Sequence, residues 1–255
     1  GILAADESNP TCGKRFDSIG VESTEENRRD YREMLFTSKG MEGNIGGVIL
    51  FDETIRQSAA DGTLLREIIL KQGALPGIKV DKGLQPIENF PGETVTVGLD
   101  GLDERLKEYA EMGAKFTKWR AVINIGDGIP SDECIHANMD ALAQYAKCAQ
   151  ENGMVPIVEP EVLMDGEHSI DACYDATNRS LKSLFEHLEK YQVNIKGTIL
   201  KPNMVTSGSN HNTQASINEV ATRTIDCLVK NVPAELPGVT FLSGGQSDVL
   251  ATAHL

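Results

Sequence analysis

The chain has 255 residues, 40% of them hydrophobic and 24% charged, the balance of a globular protein with a full α/β core. Its 24 basic against 38 acidic residues give a net charge of −14, which argues against a nucleic-acid partner, because phosphate backbones are held by clustered cations. No apolar run approaches the roughly 18 residues needed to cross a bilayer, so no membrane insertion is expected.

Short apolar runs recur along the chain at 1–6, 46–52, 77–81, 115–123, 154–159, 196–201 and 238–243, and most are separated by amphipathic stretches. The first run, GILAAD, lacks the basic flank and long apolar centre of a secretory signal. It is followed by ESNPTCGKR, with no GxGxxG or GKS/T phosphate fingerprint, which disfavours a doubly wound dinucleotide fold. Ser23 and Glu26, ahead of NRRDYREMLF, read as a capping box opening a helix. Leu102, Leu106 and Tyr109 form an apolar helical stripe stopped by Gly113, and Leu181, Leu184, Phe185 and Leu188 form another. SDVLATAHL reads as the helix after the seventh run.

Continuous rather than alternating apolarity in the runs predicts a parallel sheet covered on both faces. The fold expected is an α/β, (β/α)8 TIM barrel with seven βα units present, in a single domain over 1–255. Five cysteines (Cys12, Cys134, Cys148, Cys173, Cys227), odd in number and widely spaced, fit reduced thiols in a reducing compartment. Asn178-Arg179-Ser180 matches a glycosylation sequon but lies in a helical stretch and is discounted.

Charged residues gather where these strands are predicted to end: Asp6, Lys79, Lys118, the pair Glu159 and Glu161, and Lys201. The C-terminal ends of barrel strands are where such enzymes hold their chemistry. A lysine near a second cation favours its neutral, nucleophilic amine, and a carboxyl beside it can shuttle protons. Lys201, in TILKPN, is the leading nucleophile, Lys118 the second cation and Glu159 the proton shuttle. A lysine that merely snorkels at a rim, or carboxylates that merely bind lysines, would give the same pattern. Pro160 is expected to fix the two glutamates apart, one inward and one toward the loop. Ser243-Gly244-Gly245, after the seventh strand, offers backbone amides to a phosphate. Lys14 and Arg15, with Lys79 and Arg120, could hold a second anionic group. The five histidines show no HxxxH spacing or His/Asp cluster, so no metal site is expected.

These residues fall in motifs that resemble the class I fructose-1,6-bisphosphate aldolases: GILAADES, NRRDYR, GGVILF, GIKVDKG, GLDGL, KWR, PIVEPE, LKPNMV and FLSGGQS, in that order along the chain. The resemblance implies a metal-free, cofactor-free lyase that cleaves fructose 1,6-bisphosphate to dihydroxyacetone phosphate and glyceraldehyde 3-phosphate. It implies Lys201 as the Schiff-base lysine, Glu159 as acid and base for the imine, and Asp6 at the hydroxyl whose deprotonation breaks the carbon–carbon bond. Lys118 would keep Lys201 unprotonated, with Glu161 tuning the network. Ser243, Gly244 and Gly245 would bind one phosphate; Ser8, Lys14, Arg15 and Lys79 would line the other end, with Arg120 supporting the cleft. A homotetramer in the cytoplasm, or in a plastid, is implied as well. The family's N-terminal segment, eighth strand and tyrosine-ended tail fall outside this sequence, so a partial chain is expected. Two alternatives are a catalytically inactive scaffold built on part of the barrel and another Schiff-base barrel of transaldolase or deoxyribose-phosphate type.

Overall fold

The computed structural model describes all 255 residues. In chain order its elements are β1 (Ile2–Ala5), α1 (Asn9–Asp17), α2 (Glu25–Phe36), β2 (Gly47–Leu50), α3 (Asp52–Arg56), α4 (Leu65–Lys71), β3 (Leu75–Lys79), β4 (Leu84–Pro86), β5 (Thr94–Thr96), α5 (Leu102–Glu111), β6 (Phe116–Ile123), α6 (Asp132–Glu151), β7 (Val155–Val162), α7 (Ile170–Lys190), β8 (Ile199–Leu200), α8 (Ile217–Asn231), β9 (Gly238–Val239) and α9 (Asp248–His254). Seven strands make one sheet in the order β1-β2-β3-β6-β7-β8-β9. With the β4/β5 hairpin set aside, each crossover advances by one strand and never doubles back. That is the order of a singly wound barrel, whereas a doubly wound sheet reverses at its middle.

The chain divides into two compact units. The first comprises Gly1–Val80, Asp103–Lys118 and Asn152–Met154. Its strands pair in parallel, with Ile2 opposite Gly47, Gly77 opposite Ile49 and Lys79 opposite Lys118. All four residues of β2 are buried, which is why GVIL carries no polar alternation. The Phe116 ring lies against the Cα positions of Gly77 on the adjacent β3 and of Gly47 on β2 beyond it, where a side chain would meet it at 2.3 Å and 2.9 Å respectively. These two glycines make room for an aromatic ring. Helix α2 opens one residue later than the sequence suggests: Thr24, not Ser23, caps it by accepting from Asn27 N at 3.1 Å. Ser23 instead turns its carbonyl to Arg28, 2.6 Å from Nη1.

The second unit comprises Asp81–Leu102, Trp119–Glu151 and Val155–Leu255. Helices α6 and α7 pack on each other and on β7, with Leu181, Leu184 and Leu188 of the predicted stripe buried and Phe185 only half-buried. Trp119 stacks on Tyr145 at 5.4 Å, and Tyr145 donates to Ile157 O at 3.1 Å. Two expectations are corrected here. Strand β7 runs through Pro160 to Val162 instead of ending at Glu159. The ladder to β8 closes with Lys201 N donating to Val158 O at 2.9 Å, so Pro160 lies beyond it and owes it no N–H. Glu159 and Glu161 therefore stand two apart on one strand and share a face instead of diverging. Likewise Lys118 and Arg120 sit within β6 and share a face. The β4/β5 hairpin was not expected; its strands have three residues each and β4 is exposed, too short and too polar to show a period.

Candidate active site

In the second unit, Lys201 follows β8 directly and its Nζ donates to Glu159 Oε1 at 2.8 Å. The lysine side chain is 14% exposed and the glutamate 3%. Removing one partner of so buried a pair leaves a charge without compensation, a loss of about 3–5 kcal/mol. Chemically, an amine and a carboxyl in hydrogen-bond contact can pass a proton between them. Two residues along β7, the buried Glu161 accepts from Arg120 Nε, and the Arg120 backbone N–H donates to Asp81 Oδ2 at 3.3 Å. Burial alone would lower the Arg120 guanidinium, but its hydrogen bond and charge pairing with Glu161 outweigh this and hold it above its ordinary value. Asn203 ties the two strand ends: its Oδ1 accepts from Val162 N at 3.1 Å while its Nδ2 donates to Thr177 Oγ1 at 3.1 Å. Thr240 N donates to Leu200 O at 2.8 Å just beyond β9, and three residues later comes the turn Ser243-Gly244-Gly245. Both glycines take positive φ, 65° and 91°, the left-handed region that glycine enters without strain in a tight turn.

In the first unit, Lys118 Nζ pairs with Asp6 at 2.8 Å, both side chains nearly buried. Asp6 is the first residue after β1, and Lys79, the last of β3, stands opposite Lys118 in register. Lys118 is thus joined to Asp6 by an ion pair and to Lys79 by strand register, all within one unit. Ser8 caps α1 positionally and shares a hydrogen bond with Thr11 Oγ1 at 3.0 Å. Lys14 and Arg15 are exposed on α1, and Arg15 is engaged by Glu7. The sites predicted from sequence therefore fall into two groups, Asp6, Ser8, Lys14, Arg15, Lys79 and Lys118 in one unit, Arg120, Glu159, Glu161, Lys201 and Ser243–Gly245 in the other.

Sequence reasoning missed the residues that hold Asp6 in place. Arg32, 1% exposed on α2, donates from Nε to Ala5 O at 3.2 Å and from Nη2 to Glu7 O at 2.9 Å, and pairs with Glu7 Oε2 at 3.1 Å. Asp6 sits between those two carbonyls in the chain. Arg28, four residues earlier on the same helical face, is bidentate on Glu53 at 2.8 and 2.6 Å. The available signal was the i, i+4 arginine pair in NRRDYR, two charges on the helical face that turns inward. A second miss concerns histidine. No His/Asp cluster was expected, yet the packing of α6 on α7 brings His136, Asp140 and His187 together, with ligand atoms within 4.8 Å of one another. His187 is too distant in sequence from the other two for any spacing rule to connect them.

A family model for fructose-bisphosphate aldolase class-I matches residues 1–255. The chain is 56% identical to a probable fructose-bisphosphate aldolase class 1 of Xanthomonas campestris, over all of this chain and 76% of that protein. It is 51% identical to the cytosolic fructose-bisphosphate aldolase 4 of Arabidopsis thaliana, again over all of this chain and 65% of the relative. Among solved structures, the fructose-bisphosphate aldolase of Plasmodium falciparum, in complex with TRAP and a small-molecule inhibitor, superposes with a TM-score of 0.98 at 47% identity, covering 100% of this chain and 74% of that one. The relatives are longer than this chain, and the fold class is the (β/α)8 barrel with seven of its strands here.

Proposed function

Because this chain belongs to the class I fructose-bisphosphate aldolases, a family of lyases, we propose that it reversibly cleaves fructose 1,6-bisphosphate to dihydroxyacetone phosphate and glyceraldehyde 3-phosphate through an imine on Lys201, without a metal. The observation that carries this reading is the 2.8 Å contact between the Lys201 amine and the buried Glu159 carboxylate. Glu159 takes a proton from the Lys201 ammonium, and the free amine adds to the ketose carbonyl carbon. The same carboxyl then returns a proton to the carbinol oxygen, water leaves, and a protonated imine remains. When the hydroxyl on the fourth carbon loses its proton, the bond between the third and fourth carbons breaks. Its electron pair flows into the imine to give an enamine, and glyceraldehyde 3-phosphate departs as the aldehyde. Protonation of the enamine and hydrolysis of the imine release dihydroxyacetone phosphate and restore Lys201.

Asp6 is proposed for the hydroxyl deprotonation and Lys118, its ion-pair partner, for substrate binding and for keeping Lys201 unprotonated; both roles rest on the family resemblance. Glu161, by engaging Arg120, sets the charge balance beside Glu159. The amides of Ser243, Gly244 and Gly245 are proposed to bind one phosphate, and Ser8, Lys14, Arg15 and Lys79 the other. A homotetramer acting in glycolysis, gluconeogenesis or carbon fixation, in cytoplasm or plastid, completes the reading; reduced cysteines fit those compartments. A cleavage assay coupled to triose-phosphate consumption, run with a chelator present, tests it. Turnover that survives the chelator and vanishes in Lys201→Arg is expected. A folded chain without turnover would instead support the inactive scaffold.

A further inference from the structure

We propose that His136, Asp140 and His187 form a binding site for a divalent transition cation of the zinc type, joining α6 to α7. The site is separate from the imine chemistry and does not depend on it. His136 and Asp140 stand four apart on α6 and so project from one helical face. His187 comes from the last turn of α7 and is 6% exposed, its ring 4.6 Å from that of His136. Two imidazole nitrogens and one carboxylate oxygen are the donor set that zinc takes when it keeps a fourth position open.

The tautomer of His187 points to a cation. Its Nδ1 lies 2.7 Å from Ser183 O, an oxygen that can only accept, so the proton is on Nδ1. In the neutral ring that leaves the Nε2 lone pair facing Asp140 Oδ1 at 3.8 Å. Two electron-rich atoms across such a gap repel, and a positive charge between them removes the conflict. The backbone carbonyl that fixes Nδ1 is also the usual outer partner of a metal-bound histidine, holding the ring and raising its basicity.

The geometry needs little adjustment. Donors about 2.0–2.1 Å from a tetrahedral ion are roughly 3.3 Å apart, against 3.8 Å for the His187–Asp140 pair and at most 4.8 Å within the group. His136 is exposed, so rotation of its ring closes the remaining distance. Asp140 is already well supported: Oδ1 accepts from Lys190 Nζ at 2.8 Å and Tyr191 OH at 3.0 Å, and Oδ2 from Gln144 Nε2 at 2.6 Å. Lys190 is the exposed member of that set and supplies the positive charge while no ion is bound; the cation takes its place on Oδ1.

The test is titration of chelator-stripped protein with cobalt(II), followed by visible absorption and by competition with zinc. One ion per chain is expected, with the intense bands of a tetrahedral site, displaced by zinc and accompanied by a rise in Tm. His136→Ala, an exposed change outside the proposed catalytic machinery, should weaken binding by about tenfold or more and abolish the rise in Tm. Asp140→Asn, which keeps the side-chain shape, should weaken it too. Absence of cobalt binding would overturn the proposal and leave the three side chains as a packing contact between α6 and α7. Binding that His136→Ala leaves unchanged would overturn it equally, placing the ion elsewhere.

Discussion

Replacing Gly77 by alanine is expected to destabilise the protein far more than the loss of two hydrogens suggests. A Cβ at position 77 would lie 2.3, 2.4 and 2.5 Å from three carbons of the Phe116 ring. Ordinary carbon contacts are about 3.5–4.0 Å, so the ring would have to retreat by roughly 1 Å or more. It is 6% exposed and its edge also lies over Gly47, where the same construction gives 2.9 Å. Overpacking of this kind costs about 1–3 kcal/mol, and the depth of the overlap places Gly77→Ala at about 3 kcal/mol. In a chain of this length that lowers Tm by roughly 6–12 °C. Gly47→Ala, with its shallower overlap, should cost about 1 kcal/mol. The assay is urea unfolding followed by circular dichroism, on Gly77→Ala, Phe116→Leu and the double variant. With the ring gone the overlap is gone, so Gly77→Ala in the Phe116→Leu background should cost less than about 1 kcal/mol, a coupling of about 2 kcal/mol. Strict additivity would refute the reasoning, because it would mean that the glycine is not there to admit the ring.

The remaining predictions concern charge. Arg32→Met should cost about 3 kcal/mol in chemical unfolding, because it leaves the Ala5 and Glu7 carbonyls without their donor and the Glu7 carboxylate with only the exposed Arg15 as a charge partner; an effect below about 1 kcal/mol would contradict the arrangement. Glu159→Gln should lower kcat by about 10²–10⁴ with imine formation as the slowed step, read by single-turnover trapping; a change in KM alone would count against proton transfer. Burial pushes the thiols of Cys134 and Cys227 up to about 12, helped by Glu93 beside the first and Cys173 beside the second. Burial, with the hydrogen bond to Asp52, likewise pushes the Tyr109 hydroxyl up to about 12. All three stay protonated in the native state while the unfolded chain ionises near pH 8.5 for thiols and near 10 for tyrosine. Their contribution to stability is therefore complete below about pH 8.5 and is lost as pH rises toward 12. Urea midpoints should fall across that range. Iodoacetamide at pH 8 should modify Cys148, the one cysteine not fully buried, ahead of the others. A midpoint that stays flat to pH 12, or rapid alkylation of Cys134, would contradict this.

What the sequence made legible is what local physics writes into it. Strand β2 is a run of four buried apolar residues, as a strand covered on both faces must be, and α7 shows its core stripe at Leu181, Leu184 and Leu188. Lys201 could be singled out because charges of both signs, Lys118 and Glu159 among them, close successive apolar runs along with it. Glu159 was found, but its geometry was misjudged. Pro160 reads as a wedge that sets the two glutamates apart, whereas the strand runs straight through it because β8 reaches no further than Leu200. Other features depend on pairings that no local window contains. Glu7 meets Arg32 across 25 residues, Phe116 meets Gly47 across three strands, and His187 meets Asp140 only because α6 packs on α7. The β4/β5 hairpin shows a different limit, since three-residue strands fall below the length at which periodicity can be read. The motif resemblance supplied the chemistry that neither periodicity nor geometry states.

The most direct measurement is borohydride reduction in the presence of dihydroxyacetone phosphate, followed by peptide mass mapping. The account predicts a stable secondary amine on Lys201, absent in Lys201→Arg and slow to form in Glu159→Gln. A folded protein that forms no adduct, or forms it on Lys118 or Lys79 with Lys201 unmodified, would contradict it.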